Sequence, residues 1–277
     1  MSASQRLRRF GALVGAGALL VSLAACSSAS DASSATITDG KLTIATGEPA
    51  YYPYVIDDAP ESGEGFEAAV AYAIAEELGF AADDVVWVRT TFEAAIQPGP
   101  KDFDFNLQQY TITEERAQNV DFSIPYYSTP QAVITVEGSA AANATSLADL
   151  KELRIAAAAA TTSFDSIEET IQPNGGGLSF NNNDDAKLAL ETGAVDAIVV
   201  DLPTAFYLTA VELTGGKIIG QLPASAGISD EWGLVLTKDS ALTESVNEAL
   251  QSLIDSGRLQ EIIDTWLGSD QGAPVLQ

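Results

Sequence analysis

The sequence contains no histidine and a single cysteine, Cys26, among its 277 residues. Without histidine the chain lacks the side chain that most often acts as a general base near neutral pH or binds a transition metal. A single cysteine cannot form an intramolecular disulfide, so the fold relies on its hydrophobic core. We therefore expect no metal site, no cofactor and no nucleophile activated by histidine.

Positive charge is also scarce. Thirteen Lys and Arg residues stand against 39 Asp and Glu residues, which gives a formal net charge of −26. A surface this negative repels nucleic acid and anionic lipid, so we expect no nucleic-acid partner. By itself the charge is typical of a solubilising surface. Hydrophobic residues make up 46% of the chain, enough for a substantial core.

The N-terminus has the pattern of an export signal. A basic segment with three arginines precedes the uncharged apolar run 10–25, which is too short to span a bilayer comfortably. The run ends Leu23-Ala-Ala-Cys26, which resembles the lipobox of bacterial lipoproteins, in which the cysteine carries a diacylglycerol. We expect a signal peptide over 1–25 and lipid on Cys26; an ordinary signal peptide with a chance cysteine is the alternative. The remaining 252 residues carry 10 basic and 39 acidic side chains, a charge of −29.

Strand and helix patterns alternate along the rest of the chain. The segment 26–39 is rich in Ser, Ala and Asp and is predicted to be a flexible tether. Residues 41–46 alternate apolar and polar side chains as a strand does, and 195–200 is typical of a strand covered on both faces. Residues 66–78 place their apolar side chains on one helical stripe. This alternation favours an α/β fold with one largely parallel sheet or two such sheets.

Polar side chains follow four of the predicted strands. Ligands of open α/β sheets bind beyond the carboxyl ends of the strands. Arg116 offers a guanidinium for a carboxylate, Asp201 offers a carboxylate for an ammonium, and 161–163 offers hydroxyls and backbone amides. A ligand with both a carboxylate and an ammonium is an α-amino acid. Each residue also has a purely structural interpretation, because Arg116 can pair with a surface acid and Asp201 can cap a helix.

Several motifs resemble those of the family 3 bacterial extracellular solute-binding proteins, which serve ABC importers of polar amino acids. The most specific are Tyr110-Thr-Ile-Thr-Glu-Glu-Arg116 and Val120-Asp-Phe-Ser-Ile-Pro-Tyr-Tyr127. The opening strand with its aromatic loop, 42–54, and the segment 256–266 near the end are also similar. The resemblance covers 41–268 in order.

This resemblance implies a two-lobed α/β fold of the periplasmic-binding-protein type (type II), whose lobes are joined by two hinge strands and close on the ligand. Lobe one is expected to comprise 40–131 plus 229–277, and lobe two 132–228.

The resemblance also implies roles for nine residues. Arg116 matches the arginine that holds the α-carboxylate, and Asp201 matches the acid that holds the α-amino group. The other seven match contacts to the carboxylate (Thr111, Thr161 and Thr162), to the amino group (Gln109) and to the ligand side chain (Tyr51, Phe92 and Glu48).

The chain departs from the family pattern beside the ligand side chain. Gln108-Gln109-Tyr110 replaces the usual small residues, which narrows the cleft and adds amide groups, and the loop before Ala160 contains only alanine. Together with Glu48, these residues favour a polar or cationic ligand side chain.

By this resemblance the protein is a monomer, anchored to the outer face of the cell membrane by lipid on Cys26. It would capture an amino acid and deliver it to an ABC permease with its ATPase subunits. Two alternatives stay open. One is an enzyme on the same scaffold, as in cyclohexadienyl dehydratases, for which only Glu48 and Asp201 are candidate acids or bases. The other is a sensor that passes its ligand to a separate receptor.

Overall fold

A computed structural model describes residues 35–223, 230–268 and 272–277. The predicted signal peptide 1–25 and the predicted lipidation site Cys26 lie outside the described residues. No helix in the part of the chain that is described is long and apolar enough to cross a bilayer.

The described residues contain twelve strands. In chain order they are β1 (Leu42–Gly47), β2 (Val85–Thr90), β3 (Phe105–Asn106), β4 (Val120–Phe122), β5 (Tyr127–Thr129), β6 (Gln131–Val136), β7 (Ile155–Ala158), β8 (Leu178–Phe180), β9 (Ala197–Asp201), β10 (Gly216–Gln221), β11 (Asp230–Trp232) and β12 (Val235–Thr237).

These strands form two five-stranded sheets with the same topology. The first has the order β2-β1-β3-β12-β4 and the second, taken from its opposite edge, the order β8-β7-β9-β6-β10. In each sheet three parallel strands are followed by an antiparallel strand and one further strand. The first sheet forms the centre of lobe one and the second that of lobe two. The expectation of two α/β lobes is confirmed.

The two lobes are connected by an antiparallel ribbon. β5 passes from the first sheet into β6 of the second, and β11 pairs with β5 before the chain continues into β12 of the first sheet. β5 and β11 are the hinge strands that the sequence predicted. β5 leads to Gln131 at the start of β6, and β11 begins at Asp230, so each hinge strand has a polar side chain at the cleft.

Seven α-helices in the described residues cover the sheets. They are α1 (Phe66–Glu77), α2 (Phe92–Ile96), α3 (Thr162–Ser166), α4 (Asn183–Glu191), α5 (Leu202–Tyr207), α6 (Thr243–Asp255) and α7 (Arg258–Trp266). α3 and α5 each continue as a π-helical turn, Ile167–Ile171 and Leu208–Glu212.

Each sheet is buried on both faces, which fixes where its strand ends can meet a ligand. In lobe one Ile44 packs among α1, α6 and α7, whereas the next residue of β1, Ala45, faces α2. In lobe two Ala132 and Ile134 face α4 and α5, and Val133 between them faces the opposite side. Because both faces are covered, only the strand ends are open to the space between the lobes.

The C-terminal residues correct the predicted lobe boundaries. Residues 229–277 were expected to belong wholly to lobe one, yet 272–277 lie on the second sheet. Val275 bridges to Gln221 of β10, and Leu276 is buried in the lobe-two core. Gly220 leaves the space that this contact needs, since a Cβ there would lie 2.6 Å from the carbonyl oxygen of Pro274. The chain therefore reaches lobe two a second time after α7.

The end of the predicted tether also contacts the fold. The backbone N–H of Ile37 donates to the carboxylate of Asp104 over 2.8 Å, and Thr38 forms a bridge with Lys41. The predicted tether 26–39 is therefore not free over its last residues.

A buried carboxyl group, Glu67, lies in the first turn of α1 and is only 1% exposed. The backbone N–H of Gln109 donates to its Oε1 over 2.8 Å, the side-chain amide of Gln109 donates to its Oε2, and the hydroxyl of Tyr126 donates to Oε1. Burial outweighs these hydrogen bonds and raises the pKa of Glu67 to about 7.

We expect Glu67 to make the free energy of unfolding depend on pH. Its pKa rises from the ordinary 4.5 to about 7 in the folded protein. The contribution of Glu67 to the free energy of unfolding is therefore full below about pH 4.5 and is lost as the pH rises through about 7. At 1.36 kcal/mol per pKa unit the loss is roughly 3 kcal/mol. The Glu67→Gln variant, which cannot ionise, should lack this loss in urea unfolding measured from about pH 5 to about pH 8.

The control for this experiment is Glu77→Gln, which removes an exposed carboxylate from the other end of α1. That variant should keep the pH dependence of the wild-type protein. A Glu67→Gln variant with the same pH dependence as wild type would show that Glu67 is already ionised in the folded protein.

Candidate functional site

A cavity of about 160 Å³ lies between the lobes, at the carboxyl ends of β1, β3, β7 and β9. Seven of the nine predicted ligand-binding residues line it: Glu48, Tyr51, Phe92, Gln109, Thr161, Thr162 and Asp201. Thr111 and Arg116 are not part of its lining, but both contact residues that are.

Arg116 occupies a single helical turn after β3 and is only 8% exposed. One guanidinium nitrogen donates to the backbone carbonyl of Thr111 in lobe one, and another donates to that of Ala160 in lobe two, each over 2.8 Å. Its guanidinium carbon lies 5.4 Å from the centre of the Phe92 ring, which stacks on Tyr110 at 4.5 Å. Burial lowers the pKa of Arg116. Arg116 forms no ion pair with any residue in the described ranges.

Threonine hydroxyls meet across the cleft next to Arg116. The hydroxyls of Thr111 in lobe one and Thr162 in lobe two share a hydrogen bond of 3.1 Å. Thr161 begins α3: its hydroxyl accepts from the backbone N–H of Phe164 over 3.2 Å and donates to the carbonyl of Ala158 over 2.7 Å. The hydroxyls of both threonines are therefore engaged within the protein, that of Thr161 at the start of α3 and that of Thr162 with Thr111 and Asp230.

Asp201 ends β9 on the lobe-two side of the cavity. Its Oδ1 accepts a hydrogen bond of 2.7 Å from the side-chain amide of Gln131, and it forms no ion pair with a described residue. Burial, helped by the nearby carboxylate of Asp230, raises the pKa of Asp201 to about 8. The alternative interpretation of Asp201 as a helix cap is not supported, since its side chain makes no capping bond to α5.

Sequence reasoning missed two residues of this cluster, Gln131 and Asp230. Gln131 begins β6 and Asp230 begins β11, so both stand where a hinge strand meets a lobe. The same Gln131 nitrogen donates to Asp230, and the hydroxyl of Thr162 donates to Asp230 over 3.1 Å. Both residues could have been found by asking which polar side chains flank the two predicted hinge strands.

Gln109 has a structural role that the sequence did not predict, beside the contact to the ligand amino group that the resemblance implies. Both its backbone N–H and its side-chain amide donate to Glu67. Its φ of 52° lies in the left-handed region, which turns these two donors toward α1. Gln109 still lines the cavity, and its amide nitrogen is engaged by the fold.

The remaining wall of the cavity is rich in amides. The hydroxyl of Tyr110 donates to Oε1 of Gln108 over 2.9 Å, so the amide nitrogen of Gln108 lies at the side of Gly47. Residues 181–183, all asparagines, approach from the start of α4. Burial raises the pKa of Tyr51, whose hydroxyl lies against the backbone of 183–184. Sequence reasoning did not include the asparagines, which follow the short strand β8.

The two lobes are in contact around this cavity. The hydroxyls of Tyr54 and Thr204 share a hydrogen bond of 2.9 Å, and the rings of Tyr52 and Tyr207 stack with their centres 4.3 Å apart. Together with the bond from Arg116 to Ala160, these contacts close the cleft from both sides.

Comparison with known proteins gives a consistent result. The model of the family described as bacterial extracellular solute-binding proteins, family 3, matches residues 42–269. The ABC transporter glutamine-binding protein GlnH of Bacillus subtilis is 30% identical over 218 residues, which cover 76% of this chain and 76% of that protein. The L-arginine-binding protein of Pseudomonas aeruginosa is 27% identical over 230 residues, 80% of this chain and 86% of that protein.

A solved structure of an ancestral arginine-binding protein bound to glutamine is similar over the whole of its length. It is 30% identical in sequence, superposes with a TM-score of 0.70, and covers 84% of this chain and 100% of its own. The predicted type II periplasmic-binding-protein fold is confirmed. The relatives named here are binding proteins rather than enzymes. Because the family model spans most of the sequence, the chain belongs to the family 3 bacterial extracellular solute-binding proteins.

Proposed function

We propose that this protein captures an α-amino acid between its two lobes and delivers it to an ABC importer, while lipid on Cys26 holds it at the outer face of the cell membrane. The observation that carries the proposal is a pair of opposite charges, Arg116 in lobe one and Asp201 in lobe two, neither of which has an ion-pair partner among the described residues.

An uncompensated buried charge is costly, and a removed partner costs about 3–5 kcal/mol in typical cases. Arg116 and Asp201 are close enough for each to influence the pKa of the other. They do not bond to each other directly, since Arg116 donates to backbone carbonyls and Asp201 accepts from Gln131. A zwitterion between them supplies a carboxylate to the cation and an ammonium to the anion.

The carboxylate end has further donors. Two guanidinium N–H groups of Arg116 are used by backbone carbonyls, and the guanidinium has five in all. The remaining ones can hold both oxygens of a carboxylate. Because Arg116 of lobe one also bonds to Ala160 of lobe two, a carboxylate bound to it lies between the lobes and stabilises their closed arrangement.

The relatives support an amino acid as the ligand. The named proteins bind glutamine or L-arginine, and the similar solved structure holds glutamine. These ligands share the α-carboxylate and α-ammonium and differ in their side chains. We propose no catalytic residue, because the polar groups of the cavity are accounted for by binding and by the fold.

Delivery and anchoring extend the proposal to partners. Members of this family serve ABC importers, so the partners we propose are the permease and its ATPase subunits. The segment after Cys26 then acts as a tether that keeps the closed, ligand-bound protein near the permease. The lobes act as a unit in this scheme, and we propose that the protein is a monomer.

The binding claim is tested by isothermal titration calorimetry with a panel of the common amino acids. We expect one or a few of them to bind with Kd values in the micromolar range or below. Arg116→Ala should weaken the binding of every one of these ligands by about a hundredfold or more, since each charge-assisted hydrogen bond contributes about 1.5–3 kcal/mol.

The control is Arg258→Ala, which removes an exposed guanidinium paired with Glu76 on the surface of lobe one. It should bind every ligand as wild type does. Arg116→Lys keeps the charge and should retain part of the affinity, which separates the loss of a ligand contact from a failure to fold. If no amino acid binds more tightly than about millimolar, the proposed function is wrong.

The anchoring claim is tested separately with Cys26→Ala, expressed as the full chain. This variant should bind ligand in solution as wild type does, yet appear in the culture medium or soluble fraction instead of the membrane fraction. Mass spectrometry of the wild-type protein should show acyl mass on an N-terminal Cys26. Retention of Cys26→Ala at the membrane would show that another feature anchors the protein.

A further inference from the structure

We propose that Asp230 is a second carboxylate of the ammonium subsite, and that its negative charge helps to keep a proton on Asp201 in the ligand-free protein, which the ammonium of the ligand displaces. This inference rests on the proposed function. It adds a residue that is absent from the predicted site and a chemical event, release of a proton on capture.

The geometry places the two carboxylates around one donor. The side-chain nitrogen of Gln131 donates to Oδ1 of Asp201 over 2.7 Å and also to Oδ2 of Asp230. The other end of the Gln131 amide is fixed, because its Oε1 accepts from the hydroxyl of Ser163 over 2.7 Å. The amide cannot turn away, so both acids stay within reach of the same nitrogen. Gln131 is 6% exposed, and water screens this group little.

A neutral amide does not compensate two negative charges. In the described residues neither Asp201 nor Asp230 has a cation within 4 Å. The negative charge of Asp230 disfavours the ionised form of Asp201. Burial and the Asp230 charge together raise the pKa of Asp201 to about 8, so Asp201 carries a proton near neutral pH.

The groups that face Asp201 come from four directions. Asp230 approaches from β11 and Glu67 from α1, and both disfavour its ionised form; Arg116 from lobe one favours that form. Tyr54, from the aromatic loop after β1, is also near, and the charge of Asp201 helps to raise the pKa of Tyr54. Arg116 is thus the one charge in this set that opposes protonation. Its hydrogen bonds go to carbonyl groups, and its charge is also faced by the carboxyl group of Asp165 in α3, which in turn faces Asp230.

An ammonium can compensate the negative charge of this cluster, which the neutral amide of Gln131 cannot. It carries a full positive charge and three N–H donors, so it can bond to both carboxylates at once. With the ammonium in place Asp201 ionises, and its proton passes to solvent. The reaction balances as protonated Asp201 plus ammonium ligand giving ionised Asp201 with bound ammonium plus one proton.

Ligand affinity should therefore depend on pH with a defined sign. Below about pH 8 Asp201 of the ligand-free protein holds a proton that binding must remove, so affinity rises with pH by up to about tenfold per unit and levels off above about pH 8. The experiment uses the amino acid that binds tightest in the panel. Calorimetry in two buffers of different ionisation enthalpy gives the number of protons released, and we expect a value between about one half and one near pH 7.

The variant Asp230→Asn removes one charge and keeps an oxygen that can accept from Gln131. Asp201 should then ionise at lower pH in the ligand-free protein, so proton release near pH 7 should fall and the pH dependence of Kd should become weaker. Near pH 8, where removing the proton from Asp201 costs the wild-type protein little, the variant should bind about tenfold more weakly because one charged contact is lost. A residue with a merely structural role would not change the proton count.

The matched control is Glu231→Gln. It removes the same charge from the next residue of β11, whose side chain is exposed and points to the opposite face of the strand. It should keep the wild-type affinity, proton count and pH dependence. This excludes a general effect of lowering the negative charge of the protein.

Three results separate the possible failures. If wild-type protein binds an amino acid with a Kd that does not change from about pH 6 to about pH 8, the proposed proton on Asp201 is wrong while the proposed function stands. If Asp230→Asn retains the wild-type proton count, Asp230 is not part of the subsite. If no amino acid binds at any of these pH values, the proposed function itself fails. Should Asp230→Asn not fold, the wild-type pH profile and proton count still decide whether Asp201 carries the proton.

Discussion

Burying an ionised side chain costs several kcal/mol unless an opposite charge or good hydrogen bonds compensate it. The cleft of this protein holds a buried guanidinium, Arg116, on one side, and the half-buried carboxyl groups of Asp201 and Asp230 on the other. Hydrogen bonds to backbone carbonyls and from one side-chain amide satisfy these charged groups only in part. The stability of the closed arrangement therefore depends on a solute that carries both charges, and this dependence is what lets a ligand shift the lobes toward closure.

The hinge and the binding site are built from the same residues. Gln131 starts the strand that enters lobe two, and Asp230 starts the strand that leaves it, so both change surroundings when the hinge bends. Thr162 links Asp230 to Thr111 of lobe one through two hydrogen bonds of 3.1 Å. A ligand that orders this cluster acts directly on the hinge. The C-terminal residues 272–277, which lie on the second sheet, give the lobes a further connection beside the ribbon.

Local pattern is enough to relate several residues to the cleft. Arg116 and Asp201 follow strands, and the strand ends of an α/β sheet face the space in which ligands bind; their roles in binding stay predictions. Asp230 was not predicted, because its partners lie 99 and 68 residues away along the chain and only the folded topology brings them together. The bonds from Gln109 to Glu67 were not predicted for the same reason, since Glu67 lies 42 residues before it. The apolar residues of the C-terminal segment do not recur with the period of a helix or a strand, so the sequence could not predict that this segment lies on lobe two.

The protein contains no histidine, so any response to pH near neutrality must come from other side chains. A protein that responds to pH near neutrality usually relies on histidine, whose ordinary pKa lies in that range. Here burial moves two carboxyl groups into the same range, with pKa values of about 7 for Glu67 and about 8 for Asp201. Both face the cleft network, one through Gln109 and the other through Gln131. Carboxyl groups differ from histidine in one respect that suits this site: they are neutral when protonated and negative when ionised, so the proton that leaves uncovers the charge that an ammonium needs.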